Sequence, residues 1–219
     1  MKEAKECPNC GAELKTGFVS SNKLLSAIKI TTINLYAEHK KDGYCNKCGK
    51  DLFAESKEKL QTEIATSESY LKNNIHQIPI VTSHSPFKWE YDCLGLVTGQ
   101  STTGTGVVSE FTSSFTDFFG TQSGAYNKKI RQGEELCMSQ LQTKTLTMGG
   151  NAVLAADIDY SELGSLKGMI MVCMSGTAIK ILNEETLGKE KAEIIRNLSK
   201  YNERLALLKP IQEKLYVPI

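Results

Sequence analysis

Two short segments, Cys7-Pro8-Asn9-Cys10-Gly11 and Cys45-Asn46-Lys47-Cys48-Gly49, constrain the fold of this chain more than any other feature. Together they supply four thiolates in two pairs, the donor set of a tetrahedral zinc site. The two-residue spacer in each pair lets both sulfurs face one point. The glycine after each second cysteine allows a tight turn that brings backbone amides toward the sulfurs. A redox pair would need only one such motif, and chance would rarely append glycine to both. The spacing therefore predicts Cys7, Cys10, Cys45 and Cys48 as ligands of one structural Zn2+, although the gap between pairs is longer than in a minimal zinc ribbon. His39 is the nearest alternative ligand, and four thiolates complete the site without it. A closed four-thiolate site has no position for a substrate, so it informs folding at one end of the chain and not a reaction.

At 219 residues the chain accommodates one medium domain with a small accessory module, or two domains. Its net charge of +1 creates no global attraction to nucleic acid or to an anionic membrane. Residues 1–6 lack the apolar stretch of a signal peptide, and the longest apolar run, 169–174, is far short of a membrane span. Seven cysteines, four of them in the knuckles, fit a reducing compartment. The expectation is a soluble cytoplasmic protein with no membrane partner. Cys93, Cys137 and Cys173 sit in apolar patterns and read as buried, inert thiols.

Four regions are distinguishable, as 1–53 (the zinc-ribbon module), 54–78 (a helical linker), 79–182 (an α+β domain) and 183–219 (a C-terminal amphipathic helix and tail). Within the module, residues 24–36 are too apolar for a plain loop, and periodicity does not decide between a short helix and strands. Leu60, Ile64, Leu71, Ile75 and Ile78 form one narrow apolar stripe, so 54–77 is a helix about 35 Å long, ended by Pro79. Strands are predicted at Ile80-Val81-Thr82, at 91–99, at 151–160 and at 169–180. The turn joining the last two contains Ser161, Gly164, Ser165 and Gly168.

A helix from about 123 to 147 carries Tyr126, Ile130, Gly133, Cys137 and Leu141 on one face, widened by Leu136 and Met138, and Met148-Gly149-Gly150 caps it. The Ser/Thr/Gly-rich 101–106 stretch lacks the Lys-Ser/Thr of a phosphate loop and reads as a flexible turn or bulge. Phe111, Phe115, Phe118 and Phe119 recur at helical spacing without interleaved basic residues, which points to core or subunit contact. Asp157 and Asp159 share one strand face with no histidine or third acid nearby, so a solvated face is expected. Residues 183–208 repeat Leu187, Ile194, Ile195, Leu198, Tyr201, Leu205 and Leu208 as one helix, stopped by Lys209-Pro210.

The 79–182 segment resembles the YbjQ-type family of small prokaryotic proteins, which carries a heavy-metal-binding label. The matching residues are Ile80-Val81-Thr82-Ser83, Gly95-Leu96-Val97-Thr98-Gly99, the Tyr126-containing helix, Gly149-Gly150-Asn151-Ala152-Val153 and Gly176-Thr177-Ala178. The resemblance covers about half the chain and implies a compact α+β protomer that assembles into a ring, typically a pentamer. It implies no reaction. Inside 79–182 the soft or borderline ligands His84, Cys93, Cys137 and Cys173 have no chelating spacing, so no metal ligands carry over to this domain.

The sequence contains no Gly-x-Ser-x-Gly elbow, no His-Glu-x-x-His and no phosphate loop, and only three histidines. The favoured expectation is a non-enzymatic homo-oligomer that displays zinc ribbons to a protein or small-molecule partner. Nucleic acid is the runner-up partner, because Lys15, Lys23, Lys29, Lys40, Lys41, Lys47 and Lys50 make the module mildly basic, yet residues 1–53 contain no arginine. A heavy-metal-binding protein, or an enzyme with a site built at a subunit interface, is the remaining alternative.

Overall fold

A computed structural model describes residues 5–15, 21–102, 124–163 and 169–216, with side chains omitted at 124–126, 162–163 and 169. The architecture is α+β. In chain order the elements are α1 (Ala27–Tyr36), α2 (Asn46–Asn74), β1 (Tyr91–Thr102), α3 (Gly124–Thr147), β2 (Ala152–Leu163), β3 (Met169–Ile181) and α4 (Lys189–Tyr216). The chain divides into two compact units, Met1–Tyr70 with Tyr201–Ile219, and Leu71–Lys200. Among the described residues no helix is long and apolar enough to cross a membrane.

In the second unit the three strands form an antiparallel sheet in the order β1-β3-β2. Alternate residues of β3 face α3, because side chains of a strand alternate between the two faces of its sheet. Val172, Met174 and Ala178 meet Val97 of β1, Val153 of β2 and Cys137 and Leu141 of α3 in one buried cluster, with Ile80 and Ile130 packed at its margin. A second cluster joins Ala152, Leu154, Ile179 and Ile181, with Trp89, Tyr91 and Leu187 against it. The predicted strand at Ile80-Val81-Thr82 is a single parallel bridge from Ile80 to Val153. Both edge strands carry a bulge, between Cys93 and Gly95 in β1 and between Leu154 and Asp157 in β2.

The outer edge of β1 is partly sealed by α3. The Gln140 amide donates to Gln100 O and accepts from Gln100 N, both at 3.0 Å, and Lys144 Nζ donates to Thr98 O at 2.6 Å. Polar side chains that occupy edge groups in this way block unwanted strand addition.

Several expectations need correction here. Leu136 and Met138 do not widen the buried face of α3; they are 44% and 37% exposed, because they flank Cys137 on either side while the buried face runs through Cys137, Leu141–Gln142 and Thr145–Leu146. Cys93 is exposed and Cys173 half-buried, and only Cys137 is the buried thiol expected, 0% exposed with its Sγ donating to Val172 O at 3.3 Å. Burial foremost, with the Cys173 thiol contributing, pushes the Cys137 thiol up to about 11. The phenylalanine-rich stretch, the glycine turn at 103–106 and residues 164–168 lie outside the described residues, as does the Tyr126 side chain. Asp157 and Asp159 are exposed, as a solvated face requires.

In the first unit a polar knot joins α1, α2 and α4. Arg204 of α4 holds Glu63 of α2 at 2.7 and 3.0 Å with two nitrogens, and Tyr36 Oη of α1 donates to the same carboxylate at 2.7 Å. Hydrogen bonds from the Arg204 guanidinium hold the Glu63 carboxyl below its ordinary value of 4.5, against the opposing effect of partial burial. A depressed carboxylate stabilises the fold above its unfolded pKa, and that contribution is lost as pH falls through the folded value. Arg204→Met is therefore expected to cost about 1–2 kcal/mol at pH 7. Urea unfolding should show this penalty shrinking as pH drops below the ordinary glutamate range. A penalty that stays constant down to acid pH would contradict the ion-pair account.

The C-terminal helix departs from its sequence-based bounds at both ends. Leu187 belongs to a short 3-10 turn, Glu184–Leu187, and α4 starts only after Gly188. Pro210 lies inside α4 instead of stopping it. A proline removes one intrahelical bond, but contacts on both sides offset that loss. Leu208 is fully buried, Lys209 pairs with Glu68 at 2.9 Å, and Tyr216 Oη accepts from Gln61 Nε2 at 2.5 Å.

Candidate metal centre

The four predicted ligands converge. The sulfurs of Cys7, Cys10, Cys45 and Cys48 all lie within 4.8 Å of one another. Cys7 and Cys48 are separated by 3.7 Å, Cys10 and Cys45 by 3.8 Å, and Cys45 and Cys48 by 3.7 Å. A tetrahedron with metal–sulfur bonds of about 2.3 Å has edges of about 3.8 Å. A disulfide would need about 2.05 Å. The spacing is that of a metal cage.

Each pair is held by its own local geometry. In the first knuckle Gly11 N–H donates to Cys7 O and Cys7 N–H donates to Ala12 O, both at 2.9 Å. Gly11 closes this turn at φ +70°, a left-handed conformation that favours glycine. The second knuckle is different. Cys45 leads directly into α2, and Gly49 N–H donates to Cys45 O at 2.7 Å as a first helical bond. Gly49 is needed for space, since a Cβ there would lie 2.5 Å from Leu25 Cδ1 and 2.9 Å from Tyr44 Cβ. The helix predicted to begin at residue 54 thus starts at Asn46, inside the knuckle. Lysines and small polar residues hide this start from hydrophobic periodicity.

Segment 24–36 resolves as the helical option, with α1 from Ala27; ahead of it Leu24 makes one isolated antiparallel bridge to Cys45 and Leu25 N–H donates to Tyr44 O at 2.8 Å. This segment covers one side of the cluster, leaving Cys45 at 0% and Cys7 at 3% exposure, while Cys10 is exposed and Cys48 half-buried. His39 is exposed and is not part of the cluster.

The backbone is arranged for thiolates. Burial opposes ionisation of Cys45, but N–H groups of Cys48 and Lys47, with the neighbouring thiols of Cys48 and Cys10, outweigh it and lower the group to about 6. Cys7 is lowered against burial by the N–H groups of Cys10, Asn9 and Cys45, the last donating to its sulfur at 3.2 Å. For Cys10 the Ala12 N–H favours the thiolate, but burial and three neighbouring sulfurs raise it to about 12. Without a cation, four sulfurs this close cannot all ionise, and a divalent soft ion removes that conflict. The donor set fits Zn2+ or another thiophilic ion and does not fit Mg2+ or Ca2+.

The model of the YbjQ family, described as "Putative heavy-metal-binding", matches residues 78–182. A UPF0145 protein of Anoxybacillus flavithermus is 40% identical over 88 residues, covering 40% of this chain and 82% of that relative. The chain belongs to this family. A crystal structure of a protein of unknown function from Pediococcus pentosaceus, assigned to the DUF74 family, is 13% identical with a TM-score of 0.34, covering 47% of this chain and 95% of that one. The last likeness is too distant to carry an argument.

The family match spans the sheet and α3 and excludes all four clustered cysteines. Among the described residues the cluster is the one group of three or more ligating side chains placed to hold an ion. In this family member, then, the four-thiolate centre lies on an N-terminal addition to the shared domain.

Sequence reasoning missed the side chains that shape the surroundings of the centre. Tyr44, 2% exposed, and Leu25 pack against Gly49 of the second knuckle, and neither carries a local signal of that place. In the sheet unit, Asn151 has no signal beyond its place in the Gly149–Val153 match, yet it is 2% exposed and bonds both backbone groups of Ile181.

Proposed function

We propose that this chain is a non-catalytic, ring-forming binding protein that holds Zn2+ between Cys7, Cys10, Cys45 and Cys48 and presents the zinc module to a protein or small-molecule partner. The observation that carries the reading is the sulfur cage, with three sulfur–sulfur edges of 3.7–3.8 Å and all four sulfurs within 4.8 Å of one another, which suits one tetrahedral ion. Zinc is redox-inert and four thiolates leave no open position, so the metal's part is to fold and brace the module. Within 78–182 the exposed Cys93, the buried Cys137 and the half-buried Cys173 do not form a chelating group, so the reading assigns the metal to the N-terminal cage on its own geometry and not on the family's label.

Assembly is supported by apolar side chains that remain in water on the shared domain. Leu96 is 74% exposed beside Leu94 and Met148, and Ile158 and Tyr160 are 42% and 47% exposed on the opposite edge strand. Subunit contact is a natural destination for such surface. The family resemblance suggests five copies. Multiple modules on one ring would raise their effective concentration toward a multivalent partner.

Native mass spectrometry tests both parts. Five chains of 24.2 kDa give about 121 kDa, with about one zinc per chain. Leu96→Glu should reduce the ring to smaller species while retaining zinc. A wild-type monomer at low micromolar concentration would overturn the ring, and metal-free protein from zinc-replete cells would overturn the metal centre.

A further inference from the structure

The sulfur cage is shielded on one side only. Cys45, bridged by Leu24, and Cys7 are buried at 0% and 3% exposure, whereas Cys10 is exposed and Cys48 half-buried. The Cys7 sulfur is further occupied by the Cys45 N–H at 3.2 Å and abuts Gly43 O at 4.0 Å. An oxidant that attacks sulfur needs an open line of approach, because the bond being broken must lie along the line of the attacking lone pair. Exposed thiolates are accordingly the ones oxidised. A fully closed structural site would cover all four sulfurs. This one leaves a single cysteine, Cys10, exposed, with its sulfur 3.8 Å from that of the buried Cys45.

We propose that the cage is a peroxide-responsive switch in which Cys10 is oxidised first and then joins Cys45, so that the metal is released. The proposal rests on the reading that these four sulfurs hold a metal ion. In the first step the Cys10 thiolate attacks one oxygen of a hydroperoxide. The S–O bond forms, the O–O bond breaks, and the departing hydroxide takes up a proton to become water. In the second step the Cys45 sulfur, 3.8 Å from Cys10, attacks the sulfenic sulfur. An S–S bond forms, the S–O bond breaks, and a second hydroxide leaves and is protonated. Two thiolates have lost two electrons, and hydrogen peroxide has been reduced to two waters. Closing from 3.8 Å to a disulfide requires about 1.8 Å of movement. Only Cys7 and Cys48 then remain as thiolates, too few to retain the ion.

The test uses the full chain carrying Cys93→Ser, which removes the exposed thiol of the sheet unit. Metal content is measured first, then stoichiometric hydrogen peroxide is added with a chromogenic zinc indicator, and disulfides are mapped by mass spectrometry without reduction. The expected result is about one zinc released per disulfide formed, with the disulfide mapped to Cys10 and Cys45. Dithiothreitol with added zinc should restore the starting state. Zinc retained under a tenfold excess of peroxide, or zinc lost while Cys10 stays a free thiol, overturns the switch and leaves the metal centre standing. A chain purified with no stoichiometric metal overturns both.

Discussion

Replacing Cys45 with serine is expected to empty the metal centre and to unfold the N-terminal segment while the sheet and α3 stay folded. Cys45 is the pivot of the cage. It is fully buried, it lies within 3.8 Å of two other sulfurs, and its own N–H bonds the Cys7 sulfur. A serine hydroxyl is a hard, weakly acidic donor and cannot replace a thiolate on a thiophilic ion. Zinc binding in comparable small modules is worth roughly 10–16 kcal/mol of apparent free energy at neutral pH. Among the described residues between 5 and 45, Ile33 and Tyr44 are the large buried hydrophobic side chains outside the cysteines, which is little apolar burial to replace it.

Hydrogen exchange on the intact chain should show amides between Cys7 and Tyr44 losing protection, while β1, β3 and α3 retain theirs. Their core is built from residues of the other unit alone. Full zinc occupancy in the variant would refute the ligand assignment. Unfolding of the sheet together with the module would refute the independence of the two cores.

Asn151→Ala is expected to destabilise the sheet unit by about 2–4 kcal/mol, the largest effect of any single polar side chain there. Asn151 stands just before β2 and extends its ladder with a side chain. Its Oδ1 accepts from Ile181 N at 2.6 Å, and its Nδ2 donates to Ile181 O at 3.2 Å and to Glu184 Oε1 at 2.9 Å. Its own N–H donates to Ile179 O at 2.9 Å. Alanine would keep that last bond and strand both backbone groups of Ile181, a residue 1% exposed. Each stranded buried group costs about 1–3 kcal/mol. Asn151→Asp should be no better, since it loses both donors and sets a carboxylate against Glu184. Thermal or urea unfolding of the two variants decides the matter. A loss below about 1 kcal/mol for alanine would mean that water satisfies Ile181, contrary to its burial.

Metal cages and strands were the legible parts of this chain, and for the same reason. A Cys-x-x-Cys pair is a local chelating unit, and a strand alternates every second residue, so short windows contain the whole signal. Residues 91–99, 151–160 and 169–180 accordingly predicted β1, β2 and β3 to within three residues at each end. Helix ends were less legible. α2 begins within the second knuckle and α4 continues through Pro210, and in both places the deciding contacts come from distant sequence.

Residue chemistry and spacing by themselves determined that four cysteine sulfurs would gather in one cluster, that the following domain would be α+β, and that Ile130, Cys137 and Leu141 would share the inward face of α3. Tertiary structure alone decided which sulfurs are shielded, that Cys93 is exposed, and that the C-terminal helix shares an ion pair with α2 across 141 residues of chain. Exposure is a property of what packs overhead, and what packs overhead is brought there by the fold, so no local pattern could have encoded it.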